Sequence, residues 1–268
     1  GARHEARLLD PRRPRYAHVR RRPARRRERV PRCRAARAPR GARAPRDRGG
    51  RTRAGGGGVP GRRGGHPDRR RVRAGRGGGP DEPVLSGLRE LLALAHDLGA
   101  ANVRVFPGGG DRDPAEADAS AAARLGDAAP YATELGVRLL LETHDSHRTG
   151  ADAARVIGPV GHGSVGAIWD VMHPWLGGED PATSYAALSP YLGYVQVKDI
   201  ASAEDTTPLA LGAGVLPLTE CVELLSREGW DGWLCWEYEK RWYPQAQELP
   251  PLLAPGRDHL LRLLADAA

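Results

Sequence analysis

The 268-residue chain is short of lysine, aromatic side chains and sulfur. Only Lys198 and Lys240 stand beside 39 arginines, and Phe and Met occur once each. Three cysteines (Cys33, Cys221 and Cys235) form neither a paired framework nor a CxxC, which excludes a disulfide scaffold and a zinc ribbon. Cys221 and Cys235 lie in apolar runs and read as buried core thiols. No apolar run reaches the ~18 residues that cross a bilayer, which excludes a membrane span. The first residues carry charge without the apolar stretch of a signal peptide, so a cytoplasmic protein is expected.

Acid is also missing, but only locally. Residues 1–80 hold 28 Arg, no Lys and 5 acids, a formal charge of +23. The other 188 residues hold 11 Arg, 2 Lys and 28 acids, a formal charge of −15. The overall +8 therefore averages two unlike segments. In residues 1–80, Arg, Gly, Ala and Pro account for 63 positions, and no apolar period of 2 or 3.6 is visible. Such a stretch buries too little surface to offset chain entropy. It reads as a disordered tail, as an arm for nucleic acid lacking stacking aromatics, or as GC-rich coding sequence read out of frame. The organisation expected is this segment at 1–80, followed by a folded domain at 81–268.

From residue 81 the texture changes. Residues 83–98 place Leu85, Leu88, Leu92 and Ala95 on one helical stripe, with Gly99 as its stop. ANVRVF (101–106) reads as a strand; a helix runs from Asp113-Pro114 to about Leu135; VRLLLE (137–142) is the next strand, and a helix follows near 150–157. VGAIWD (165–170), a short helix at 181–189, YVQVKD (194–199), a helix at 218–227, GWLCWE (232–237) and a helix over 256–266 complete the series. Strands alternating with helices, and apolar almost throughout, predict a parallel sheet covered by helices. The fold class is α/β, a (β/α)8 TIM-type barrel of which the last five βα units are visible. The first three strands are not recognisable in residues 1–80.

Four strands finish on a carboxylate or amide: Glu142, Asp170, Gln196 and Glu237. In a parallel barrel those ends converge on one face, where the active site is built. Three converging carboxylates repel one another unless a cation neutralises them. Oxygen ligands without thiolate favour Mn²⁺ or Mg²⁺. His173 lies three residues beyond Asp170, and His144 two beyond Glu142, so both are candidates for substrate contact. Residues 196 and 198 share one side of their strand, ~6.6 Å apart. Lys198 then reaches the mouth to bind a substrate oxygen, or forms an ordinary salt bridge with Asp199 or another acid.

The segments LGAANVRVFPG, GVRLLLETHDS, GAIWDVMHPW, YVQVKD, LGAGVLPL and GWLCWEYEKRW, which cover most of 81–245, resemble the sugar phosphate isomerase/epimerase family, the xylose isomerase-like TIM barrels. The resemblance implies that Glu142, Asp170 and Glu237 bind a divalent metal and that His173 contacts substrate oxygens. It also implies that Glu142 and Glu237 double as acid/base residues. Gln196 stands where the family usually has a metal-ligating His; its carbonyl oxygen suits a hard cation. The implied activity is isomerisation or epimerisation of a sugar, sugar phosphate or small hydroxy-keto compound through a metal-stabilised enediolate. Expected partners are a small carbohydrate or keto-acid substrate and further copies of the chain, with no membrane and no nucleic acid. Two alternatives stand beside this reading. One is a non-catalytic remnant of the barrel; the other is an apurinic-endonuclease-like hydrolase, disfavoured by the acidity of 81–268 and by the small number of histidines.

Overall fold

The computed structural model of the chain describes residues 81–268 in full, and residues 4–8 and 16–21 as backbone. The chain divides into two units, Gly1–Ala24 with Arg71–Ala268, and Arg25–Arg70; the second lies wholly outside the described residues. The expectation of a disordered or out-of-frame 1–80 therefore falls almost entirely outside them.

Five strands, β3 (Asn102–Val105), β4 (Arg138–Glu142), β5 (Val165–Asp170), β6 (Leu192–Val197) and β7 (Trp233–Glu237), run parallel in the order in which the chain makes them. They curl as part of a barrel. The helices are α1 (Glu82–Asp97), α2 (Pro114–Leu135), α3 (Gly150–Val160), α4 (Met172–Leu176), α5 (Pro181–Leu188), α6 (Leu218–Arg227) and α7 (Pro250–Asp266). Two further strands, β1 (His4–Leu8) and β2 (Tyr16–Arg21), pair antiparallel with each other, and β2 pairs antiparallel with β7. Both pairings are antiparallel, so β1 and β2 do not supply the missing parallel βα units.

The elements form for legible reasons. The α1 stripe Leu85, Leu88, Leu92 and Ala95 is buried as its spacing requires. Asp113 caps α2 by accepting from the N–H groups of Ala115 and Glu116, and Gly136 ends that helix at φ +65, a conformation natural to glycine. Thr149 and Asp152 close a capping box at the start of α3. Helix α7 starts six residues earlier than its sequence suggests. Pro250 and Pro251 occupy first-turn positions whose N–H groups no helix uses, and Pro255 is carried inside.

Strand alternation creates two faces. Val103, Val105, Leu139, Leu141, Ala167, Trp169, Val195, Val197, Leu234 and Trp236 belong to the core under the helices. The intervening residues, Arg104, Glu142, Asp170, Gln196 and Glu237, therefore project to the inner face of the half-barrel. Beyond β6, buried Asp199 knots the following loop: Oδ2 accepts from Gly212 and Gly214 N–H at 2.9 and 3.0 Å, and Oδ1 from Ile200 and Leu216 N–H at 3.1 and 3.2 Å. Gly214 is required there, because a Cβ would fall on the Ile200 carbonyl and the Asp199 carboxylate. Among the described residues, no helix is long and apolar enough to cross a membrane.

Candidate active site

The inner-face residues at the strand ends meet. One carboxylate oxygen from each of Glu142, Asp170 and Glu237 lies within 4.8 Å of the others, and all three residues are buried. Glu142 and Asp170 are the last residues of neighbouring strands, and Glu237 ends β7 on the far side of β6. Parallel pairing of β4 through β7 delivers these ends to one mouth.

Each carboxylate is held from two directions. Glu142 Oε1 accepts from Gln196 Nε2 at 2.6 Å, and its Oε2 accepts from Arg104 Nε. Glu237 Oε1 accepts from Arg104 Nη1 at 2.9 Å and Oε2 from Lys198 Nζ at 2.6 Å. Asp170 Oδ2 meets Lys198 Nζ at 2.8 Å and Gln196 Nε2 at 3.2 Å, while Oδ1 accepts from the Met172 N–H at 2.9 Å. Thr143 fixes the Asp170 backbone: its hydroxyl donates to the Asp170 carbonyl and accepts from the Asp170 N–H, both at 3.1 Å.

This network sets the charges. Burial pushes the Glu142 carboxyl up to about 7 against the pull of Arg104, with Glu237 and Asp170 adding to the rise. Burial also raises Glu237, but Lys198 and Arg104 outweigh it and hold the group below its ordinary range. Asp170 is held far below its range because Lys198 and His173 overcome the cost of burial. Burial opposes the Lys198 ammonium, yet Asp170 and Glu237 raise it well above its normal value. Half-buried Glu239, close to Lys198 and Glu237, is raised by burial.

The two histidines line the same mouth. Their rings stand 4.2 Å apart, and His144 meets the edge of Phe106 at 4.9 Å. Burial pushes His173 down to about 4, so its imidazole is neutral at neutral pH and free to hydrogen-bond with either sign. For His144, burial is outweighed by Asp145, whose Oδ1 lies 2.8 Å from Nδ1, and by Glu142; the net shift is upward. The β4 loop that carries His144 turns tightly, with reciprocal backbone hydrogen bonds between His144 and His147. His147 in turn is tied to Ser146 at 2.8 Å and Asp118 at 2.6 Å.

All seven residues singled out from the sequence, Glu142, His144, Asp170, His173, Gln196, Lys198 and Glu237, lie in this one region. Two details differ from expectation. Strand β6 ends at Val197, so Lys198 lies just past it; its salt bridges, one of the two readings of this residue, are with Asp170 and Glu237, while Asp199 is committed to its loop. Gln196 presents its amide nitrogen, not its oxygen, to the carboxylates. A residue of the cluster not singled out is Arg104, which bridges Glu142 and Glu237. The signal for it was present: a charged residue between Val103 and Val105 in a short buried strand must face inward.

The donor set suits a hard divalent cation. Three buried carboxylates converge, and a half-turn of the Gln196 amide exchanges its NH₂ for a carbonyl oxygen. Among the described residues the one thiol on this face, Cys235, is pushed up by burial and by Glu237, so the side chains that converge offer carboxylate oxygens rather than a thiolate.

A parallel α/β half-barrel with an acidic cluster at its strand ends defines the class. The chain belongs to the xylose isomerase-like TIM barrel family, whose model matches residues 76–262. Over 156 residues it is 32% identical to a Streptomyces coelicolor protein that carries the name hydroxypyruvate isomerase as a provisional assignment. The match covers 54% of each chain, so this chain spans about half the length of that relative. An L-ribulose 3-epimerase structure superposes with a TM-score of 0.62 at 20% identity, covering 73% of both chains. A xylose isomerase-like TIM barrel protein from Mycobacterium smegmatis, in complex with magnesium, superposes with a TM-score of 0.56 at 23% identity, covering 69% of this chain and 68% of its own.

Proposed function

We propose that this chain is a divalent-metal-dependent isomerase or epimerase acting on a small sugar or hydroxy-keto compound, with Glu142 and Glu237 as the proton-transfer pair. The observation that carries the proposal is the convergence of three buried carboxylates from the ends of parallel strands. Glu142, Asp170, Gln196 and Glu237 would hold Mn²⁺ or Mg²⁺, in keeping with the magnesium bound by the Mycobacterium smegmatis relative. When bound, such a cation polarises a carbonyl and its neighbouring hydroxyl and lowers the cost of removing the C–H proton beside them.

The residues of the chain do the rest. Glu237, kept ionised by Lys198 and Arg104, takes the proton from carbon, and Glu142 returns one. Delivery to the same carbon from the opposite face epimerises, and delivery to the neighbouring carbon isomerises. His173 and His144 at the mouth hydrogen-bond substrate oxygens. Lys198, held between Asp170 and Glu237, fixes both carboxylates and reaches any substrate oxygen bound between them. A substrate such as the hydroxypyruvate in the name of the Streptomyces relative, or a ketose as in the name of the ribulose epimerase, has the required carbonyl beside a hydroxyl-bearing carbon.

The rival reading is a barrel remnant without turnover. It is favoured by the sheet itself, in which five parallel strands are described where a closed barrel has eight.

Titrating Mn²⁺ into the full chain, with free metal followed by its electron spin resonance, tests the ligand set. Asp170→Asn is expected to weaken binding by more than ~10-fold, since a conserved shape loses its charge at the cation. Equal affinity in the two proteins would refute the assignment.

A further inference from the structure

We propose that Ser146, His147 and Asp118 form a nucleophile relay, with which this protein takes an acyl group from a small activated ester and passes it to water. The proposal stands apart from the isomerase reading, which uses none of the three residues.

Three observations carry it. First, the relay has a direction. Gly109 N–H donates to Ser146 Oγ at 2.9 Å, Ser146 Oγ lies 2.8 Å from His147 Nδ1, and His147 Nε2 lies 2.6 Å from Asp118 Oδ1. Arg155 Nε donates to the other Asp118 oxygen at 3.0 Å. A carboxylate accepts, so the ring hydrogen is assigned to Nε2. The Nδ1 lone pair then faces the serine hydroxyl and accepts its hydrogen. A serine nucleophile needs this order of hydroxyl, base and a carboxylate that fixes the base.

Second, burial is graded along the relay. Ser146 is exposed, whereas the side chain of His147 keeps 3% exposure and that of Asp118 18%. A dissolved ester reaches the hydroxyl, with the imidazole sheltered behind it. Third, the hydroxyl is presented on a sharp turn between a strand and a helix. Ser146 follows β4 and precedes α3, in a turn closed by His144 N–H on the His147 carbonyl at 3.0 Å and the reverse bond at 2.9 Å. Its neighbour Asp145 sits at φ +45, in the left-handed region that is costly for residues other than glycine. Gly109 is needed opposite, because a Cβ there would lie 2.8 Å from Ser146 Oγ. A strained strand-to-helix turn of this kind holds a nucleophile outward.

The chemistry balances with ester and water alone. Ser146 Oγ attacks the ester carbonyl carbon while its proton passes to His147 Nδ1. The bond from that carbon to the alcohol oxygen breaks, and the alcohol leaves with the proton. Water then attacks the acyl-serine and gives a proton to Nδ1; the bond to Oγ breaks, and Oγ takes that proton back. Gly109 N–H, already directed at Oγ, stands beside the oxyanion formed at each addition. Ser146 and His147 act on the reacting atoms, and Asp118 positions the ring.

The test uses the full chain in excess EDTA, with p-nitrophenyl acetate as the probe. The expected result is continued hydrolysis, with an acetyl group located on Ser146 by peptide mass spectrometry after a rapid acid quench. Ser146→Ala is expected to lower the rate by ~10²-fold or more, the usual worth of a positioned base acting on its nucleophile. Asp118→Asn should lower kcat by about 10-fold or more with KM unchanged, since the ring loses its orientation while the ester keeps its contacts. A clamp that only holds the turn predicts no such split. Acetyl groups on other residues of the wild type, with none on Ser146, would overturn the proposal whatever the variants do. So would a Ser146→Ala protein, folded by circular dichroism, that hydrolyses the probe at the wild-type rate.

Discussion

Glu237→Gln is expected to lower turnover of any substrate the wild type accepts by about 10³-fold while leaving the protein folded. The side chains have the same shape, so the strand-end geometry is kept, but an amide cannot take a proton from carbon. The change also removes the charge shared by Lys198 and Arg104, which meet Glu237 at 2.6 and 2.9 Å. In an epimerisation the remaining Glu142 cannot substitute, because removal and return of the proton then need groups on opposite faces of the reacting carbon. Turnover within ~10-fold of the wild type, with an unchanged melting profile, would remove Glu237 from the proton-transfer pair.

Lys198→Ala is expected to cost about 3–5 kcal/mol of stability at neutral pH, the usual cost of breaking a buried ion pair from one side. Asp170 and Glu237 are buried with Lys198 between them, and truncation leaves two carboxylates side by side without their shared cation. The same loss makes the site a better home for a divalent ion, since Lys198 no longer repels it. Urea unfolding with and without Mn²⁺ separates the two effects. The variant should lie far below the wild type in the absence of metal, and the gap should narrow as Mn²⁺ is raised, because a ligand that binds only the native state stabilises it by mass action. A loss below about 1 kcal/mol, or a gap indifferent to Mn²⁺, would show that the carboxylates do not depend on Lys198 for their charge.

Much of this site was legible in the sequence because two simple periodicities specify it. Apolar strands of period 2 place every second residue under the helices, and the polar residues that break the pattern at Glu142, Asp170, Gln196 and Glu237 are forced to the other face. The α1 stripe and the glycine that ends α2 are equally local signals. What was hidden depends on the third dimension. Lys198 has an acid next to it in sequence, Asp199, yet pairs with Asp170 and Glu237 because Asp199 is drawn away by the N–H groups of Gly212, Gly214 and Leu216. Arg104 sits in the first visible strand, 38 residues before Glu142 and 133 before Glu237, and nothing local announces that its guanidinium bridges them. The orientation of the Gln196 amide follows from the carboxylates around it and could not be read from Gln196 alone. The early start of α7 was masked by prolines that usually mark a break.

The central claim is that these carboxylates move a proton on and off carbon when a divalent cation is present. The direct measurement is solvent exchange: the full chain with Mn²⁺ in deuterium oxide, incubated with hydroxypyruvate and with a set of ketoses, and the recovered substrate and product analysed by mass spectrometry and NMR. The prediction is metal-dependent incorporation of deuterium at the carbon bearing the hydroxyl next to the carbonyl, in at least one member of the set, and its loss in Glu237→Gln. Tight Mn²⁺ binding with no exchange into any of these compounds would contradict the account and leave the barrel remnant as the reading that stands.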